Sequence, residues 1–317
     1  HNNIKYWRER TPEARWRYLI FDLDIAMGRH GWSAYYQNNL DSLLTPLEGH
    51  NKHVDLFLKL LDNETYRHYF INRYADLFNT IFEPDAFRKE VDLTVAEIDP
   101  EMPRHFERWG WPGYNLWANE RIPVLYDYLE NRPLYALEDV KEYFGLANEV
   151  RLRLQTYPPG AGTIQISTIE PEELPWEGTY FNGVPVELII KPYPGYQFQY
   201  WQSEKTITNP DQSISIRYNF QEDDEIVAYF SGGPETAALE AYLDQEGELQ
   251  IGLTLPQADE INFRLFDVQG RLLQHFKEEH FPTGYSEKSL PIPVLPTGVY
   301  IFTASGKRTN VSIKFIM

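Results

Sequence analysis

Two hydrophobic periods run along this chain, and the change from one to the other divides it. Residues 15–21 form a β-rich run that ends in Asp22-Leu23-Asp24. From His53 the apolar period becomes 3.6. Tyr66, Tyr69, Phe70, Tyr74, Leu77, Phe78 and Ile81 fall at i, i+3, i+4, i+8, i+11, i+12 and i+15, one face of a long helix. Pro84 then suits a first helical turn, with Phe87, Val91, Val95 and Ile98 continuing the stripe. Two more helical patterns cover 116–129 and 134–144, and Gly145 is a stop signal.

From about Glu149 the period becomes two. Residues 150–154 alternate, and 163–167, 184–190, 214–218 and 226–230 read as further strands of a small antiparallel β domain. Pro158-Pro159-Gly160, Pro194-Gly195 and Asn209-Pro210 punctuate them. Ser231-Gly232-Gly233-Pro234 reads as a linker. Beyond it, 248–255, 260–266, 271–276, 288–292, 298–304 and 309–316 are spaced like strands of a small sandwich. Asp267-Val268-Gln269-Gly270 is a hairpin turn between two of them. The pattern predicts a multidomain α+β chain: mostly α-helical first, then two small antiparallel β domains, the last an Ig-like β-sandwich.

Length and composition narrow the function classes. The chain has 317 residues, and about 150 residues per domain allows two or three. Net charge is -18, with both parts acidic: residues 1–145 hold 17 Lys/Arg and 24 Asp/Glu, residues 146–317 hold 12 and 23. That sign disfavours a nucleic acid or an anionic membrane as general partner. No apolar run approaches the roughly 20 residues that span a bilayer. Cysteine is absent, which removes disulfides, thiolate metal sites and cysteine catalysis. The chain opens on His1 without an apolar leader, and reads as a matured product or a piece.

The sharpest chemical feature is Asp22-Leu23-Asp24 before Gly28. Two carboxylates at a strand end can reach a hard cation such as Mg²⁺; a solvated acidic turn is the alternative. Asn2 and Asn3 could add amide ligands, or be a polar terminus. His50 and His53 lack a third ligand at metal spacing, and His68 and His105 read as boundary residues. No nucleophile-elbow or phosphate-loop motif is present. Trp109, Trp111, Tyr114 and Trp117 could stack a carbohydrate or pack a corner around Gly110 and Pro112-Gly113.

Taken together, Asn2 to Arg8, Trp16 to Asp24 with Gly28, Phe70 to Thr80, Ile98 to His105 and Arg132-Pro133 resemble the CotH (spore coat protein H) family of atypical protein kinases. The resemblance implies a kinase-like C-lobe over residues 1–147. It implies Asp22 as first metal ligand, Asp24 as second, Asn2 or Asn3 closing the catalytic loop, and Mg²⁺ (or Mn²⁺) with ATP as cofactors. The general-base Asp and the nucleotide-covering lobe are expected upstream of His1, so this stretch by itself should not be a competent kinase.

Residues 148–232, through Pro159 to Thr163, Gly178 to Val186 and Pro194 to Phe198 with Tyr200-Trp201, resemble a divergent internalin-type B repeat, a spacer or adhesive module. Residues 233–317 resemble the C-terminal sorting domain of the type IX secretion system, through Phe263 to Leu273, Leu295 to Phe302 and Lys314-Phe315-Ile316. The usual Pro-Asn-Pro opening is replaced by Ser231-Gly232-Gly233-Pro234. Together these imply a secreted or cell-surface protein whose partners are the secretion machinery and an exported protein substrate. The rival expectation is a non-catalytic surface protein that uses the kinase fold for adhesion.

Overall fold

A computed structural model of the chain describes residues 4–23, 25–44, 52–111, 113–244, 247–293 and 295–316. They form a mixed α+β structure in two compact units: residues 1–149 with Thr179–Val184, and residues 150–178 with 185–317.

The first unit opens with β1 (Ile4–Trp7) and β2 (Arg17–Ile20), an antiparallel hairpin with Ile4 opposite Ile20 and Trp7 opposite Arg17. The β-rich run thus forms a strand, and its partner was not visible as a hydrophobic alternation. Helices α1 (Asn39–Leu44), α2 (Lys52–Leu61), α3 (Glu64–Phe78), α4 (Pro84–Ile98) and α5 (Met102–Trp109) follow. Asn63 caps α3 by accepting from the Tyr66 N–H at 3.0 Å, and Pro84 opens α4 with Glu83 as its cap.

The stripe on α3 behaves differently from its periodicity. Its fully covered positions are Ile71, Asn72, Ala75 and Asp76. The aromatic positions are half-buried or exposed. They form a ladder from Phe57 through Phe70, Tyr74, Phe78 and Phe82 to Phe87, with ring centroids 4.9 to 6.1 Å apart. Ile81 lies beyond the helix, 59% exposed.

The two helical patterns at 116–129 and 134–144 are not two helices. A turn at Tyr114–Leu116 (α6) passes through a π-helical turn at Trp117–Arg121 into one helix, α7 (Ile122–Phe144), which keeps Pro133 inside it. Burial holds this helix together where the proline removes a donor. Leu129, Ala136 and Val140 are at most 3% exposed, one stripe spanning the proline. Gly145 ends α7 at φ 64°, its N–H and that of Leu146 turning back to Glu142 and Lys141.

In the second unit lie β3 (Glu149–Tyr157, from Val150 on), β4 (Gly162–Ile166), β6 (Val186–Pro192), β7 (Tyr196–Ser203), β8 (Ser215–Tyr218) and β9 (Asp224–Gly232). Strand β5 (Trp176–Phe181) straddles both units. β4, β6 and β8 form an antiparallel sheet, and β7 pairs antiparallel with β9. The expectation of a purely antiparallel domain needs correction: β3 and β9 run parallel, with Leu152 opposite Asp224 and Tyr157 opposite Tyr229. The intervening strands act as the crossover that a parallel pair requires. Ser231-Gly232 is also strand rather than free linker. Gly233 N–H donates to the Gly195 carbonyl at 2.9 Å, and a Cβ on Gly232 would stand 2.7 Å from that oxygen. Only glycine permits this approach.

The terminal segment adds β10 (Ala238–Leu243), β11 (Leu249–Leu255), β12 (Asp259–Asp267), β13 (Leu272–His275), β14 (Glu279–Phe281), β15 (Gly284–Leu290), β16 (Val299–Ser305) and β17 (Asn310–Ile316). One sheet has the order β10-β11-β15, another β13-β12-β16-β17. Leu249, Ile251, Leu253 and Leu255 of the first share a core with Ile261, Phe263, Leu265 and Phe302 of the second.

Two carboxylates fix its turns. Asp267 accepts the N–H groups of Gln269 and Arg271 at 3.0 and 2.9 Å and Arg271 Nε at 3.0 Å. Asp259 accepts from Arg308, Lys307 and Glu260 N–H. These donors, Arg271 N–H first for Asp267 and Arg308 N–H first for Asp259, hold both carboxyls below the ordinary range. Their stabilisation is therefore complete above the unfolded Asp value, about 3.9, and lost as pH falls through the lower folded value. Scanning calorimetry across the acid range should show melting temperature dropping below about pH 4, with a shallower slope for Asp259→Asn. Parallel slopes would remove this assignment.

Candidate functional site

The hairpin delivers Asp22 at its end. Asp22 is exposed and sits in the left-handed region at φ 62°, as does Met27 at 52°, and Gly28 follows at 84°. Such backbone is uncommon for a residue with a side chain, and Asp and Asn bear it best. The loop is fixed by its own bonds. Ala26 N–H donates to Leu23 O at 3.0 Å, Gly28 N–H to Ser33 O at 2.8 Å, and Ser33 Oγ to His30 O at 3.0 Å. Gly28 lies on α7: a Cβ there would stand 3.2 Å from Val124 Cγ1. On the hairpin, Tyr6 and Trp16 pack edge to face at 5.5 Å, with Arg8 over Trp16 and Arg17 over Trp7.

Of the expected metal ligands, Asp24, Asn2 and Asn3 lie outside the described residues, and only Asp22 has a place. Among the described residues no three His, Cys, Asp or Glu side chains gather to hold a metal. A single carboxylate does not by itself hold Mg²⁺, so the described donors do not complete the set. His50 and the side chain of His53 also lie outside the described residues. His68 is on α3, and His105 on α5 packs edge to face on Phe106.

The tryptophan cluster divides. Trp109 and Trp111 are 64% and 70% exposed, while Trp117 packs against Tyr114 and Phe106, and Tyr114 donates to Asp99 at 2.8 Å. The buried polar groups of this unit were not legible as such. Arg132 and Asp139 form an ion pair at 2.7 Å, and Tyr180 donates to Asp76 at 2.7 Å. In the second unit a cleft of about 1430 Å³ is lined by Tyr193, Tyr285, Glu172, Glu173, Glu287 and Gly232, among others. The two tyrosine rings lie 4.2 Å apart, each covering the other.

Comparison with known proteins accounts for both ends of the chain. Residues 1–136 match the family described as CotH kinase protein, and residues 245–317 match the secretion system C-terminal sorting domain. A curated relative, the tRNA uridine 5-carboxymethylaminomethyl modification enzyme MnmG of Buchnera aphidicola subsp. Cinara cedri, is 29% identical over 100 residues. That match covers 31% of this chain and spans only 15% of the enzyme's length. Two solved structures show weak likeness at 9% identity. The endonuclease/exonuclease/phosphatase from Beutenbergia cavernae has a TM-score of 0.20, covering 45% of this chain and 37% of that one. The Bacillus anthracis TIE protein has 0.17, covering 54% and 31%. At those scores neither carries an argument.

The class is an exported modular protein: a type IX sorting domain directs it to the secretion machinery and so to the cell surface or beyond. No helix among the described residues is long and apolar enough to cross a membrane. Its first 136 residues match the CotH kinase protein family.

Proposed function

We infer that this is part of a secreted CotH-like phosphotransferase that transfers phosphate from Mg-ATP (or Mn-ATP) to exported proteins. On this reading residues 1–147 are a kinase-like C-lobe, 148–232 a B-repeat-like spacer and 233–317 an Ig-like sorting sandwich. Asp22 and Asp24, with Asn2 or Asn3, would hold the metal, which supplies charge neutralisation on the nucleotide phosphates. The base that accepts the substrate's hydroxyl proton is expected ahead of His1. The observation that carries the reading is the family match over 1–136, with Asp22 held in a left-handed turn at the hairpin's end.

The test is phosphate transfer from labelled nucleotide by the full-length protein. Asn tolerates φ 62° as well as Asp, so Asp22→Asn removes charge without breaking the turn. It should cut transfer roughly 100-fold or more at unchanged melting temperature. Transfer indifferent to both Asp22→Asn and Asp24→Asn would end the kinase reading. The second reading, non-catalytic adhesion, draws on the tyrosine-lined cleft and the exposed Trp109 and Trp111. It predicts no heat on titrating the full-length protein with Mg-ATP.

A further inference from the structure

Strand β15 is an open edge: among the described residues it pairs with β11 and with no other strand. Edges are usually blunted by proline, bulges or a covering loop, because their unpaired N–H and C=O groups invite another chain. β15 has no proline, and its register with β11 is unbroken over all seven residues, from Leu249 opposite Leu290 to Leu255 opposite Gly284. Its start is covered. Tyr285 N–H donates to the Gly160 carbonyl at 3.4 Å, so Tyr285 turns its backbone away from β11. Backbone direction alternates along an antiparallel strand, so Glu287 and Ser289 turn theirs the same way. Both are exposed, and both line the cleft of about 1430 Å³. That is larger than most small-molecule sites and has room for a stretch of peptide.

Charge selects the kind of peptide. Glu172, Glu173, Glu235 and Glu287 line the cleft, and all four are exposed. The one cation lining it among the described residues, Lys288, already pairs with Glu279. We propose that this cleft binds an extended basic peptide, which adds to β15 as a further strand beside Glu287 and Ser289. The Gly160 carbonyl on Tyr285 forms the first rung, and the peptide continues it. Successive side chains of a strand point to opposite faces, so lysine or arginine at every second position meets the carboxylates. Backbone pairing supplies affinity, and the carboxylates choose the partner. A nucleic acid would bring phosphate to four carboxylates and has no amides to extend the ladder. The inference goes beyond phosphate transfer, because none of these residues lies in the kinase-like stretch 1–136.

The test titrates the full chain with a capped peptide of alternating lysine and valine, read by calorimetry. Saturable binding that weakens as salt rises is expected. The same peptide is then N-methylated at its lysines or at its valines, which keeps the charge and removes the donors of one edge at a time. One of the two should bind about tenfold more weakly or worse, and the other nearly as well as the parent peptide. Ser289→Pro removes an outward donor from an edge strand, where proline is tolerated, and should weaken the parent peptide about tenfold or more at unchanged melting temperature. Glu172→Gln with Glu173→Gln should weaken it too and flatten the salt dependence. The methylated peptides decide the matter on the unmodified chain even where a variant folds poorly. No saturable heat, both methylated peptides binding like the parent, or equal binding of a glutamate–valine peptide would overturn the proposal. So would a folded Ser289→Pro protein with unchanged affinity. Concentration-dependent dimers dissolved by Ser289→Pro would give the edge to a second copy, and would also overturn it.

Discussion

Arg132→Ala is expected to destabilise the helical unit by about 3–5 kcal/mol, the cost of leaving a buried charge without its partner. The Arg132 and Asp139 side chains are only 10% and 8% exposed and meet at 2.7 Å. Arg132 Nη1 also donates to the carbonyls of Tyr35 and Gln37, both at 2.9 Å, so one guanidinium ties α7 to the loop ahead of α1. Lysine, a single point charge, cannot reproduce that fork, and Arg132→Lys should recover only part of the loss. Removing both charges together, as Arg132→Met with Asp139→Leu, should cost less than Arg132→Ala alone. Burial already pushes the Asp139 carboxyl up, against the pull of Arg132. Without the guanidinium it rises further, and the folded variant then holds this proton more tightly than the unfolded chain. The variant's deficit should therefore be largest at neutral pH and shrink as pH falls through that raised value. Urea unfolding of the single and double variants measures all of this. A loss below about 1 kcal/mol would place Arg132 among ordinary surface pairs.

Legibility of the sequence follows how local the deciding physics is. Helix α4 was readable from Pro84 and its stripe, and the Asp267 turn from its glycine, because both are settled within a few residues. Most strands of the terminal segment were readable for the same reason, whereas β10 lacks a strict apolar–polar alternation and β14 is only three residues long. Pro133 suggested a break that tertiary burial of Leu129, Ala136 and Val140 overrides. The parallel pairing of β3 with β9 joins strands some 70 positions apart, and no local pattern encodes it. At the candidate site the strand and its terminal Asp22 were visible, but the left-handed turn was not, since Asp carries no signature of φ. The buried Arg121 Nε, without a hydrogen-bond partner among the described residues, was invisible too: it closes a π turn.

The same limit hid the pair that joins α3 to Thr179–Val184, and it gives the second large effect. Asp76 and Asn79 lie in a motif characteristic of the family resemblance, yet here each has a structural task. Asn79 donates to Thr179 O at 2.9 Å and accepts from Thr179 N–H at 2.8 Å, so a side-chain amide pairs with backbone as a neighbouring strand would. Asp76 is fully buried and accepts from the equally buried Tyr180 hydroxyl. Burial holds the phenol well above its usual range, so Tyr180 remains a donor throughout the working pH range. Tyr180→Phe should therefore cost about 1.5–3 kcal/mol, the range for a hydrogen bond to a charged group. Asp76→Asn keeps an acceptor for Tyr180 and should cost less than Asp76→Ala, which takes away the acceptor of the buried hydroxyl's proton. In a double-mutant cycle, Tyr180→Phe with Asp76→Ala should lose less than the sum of the single changes, with a coupling of about 1–3 kcal/mol. Chemical denaturation of the four proteins measures it. Additive losses would mean that the strand is held by apolar burial, with the hydrogen bond contributing nothing of its own.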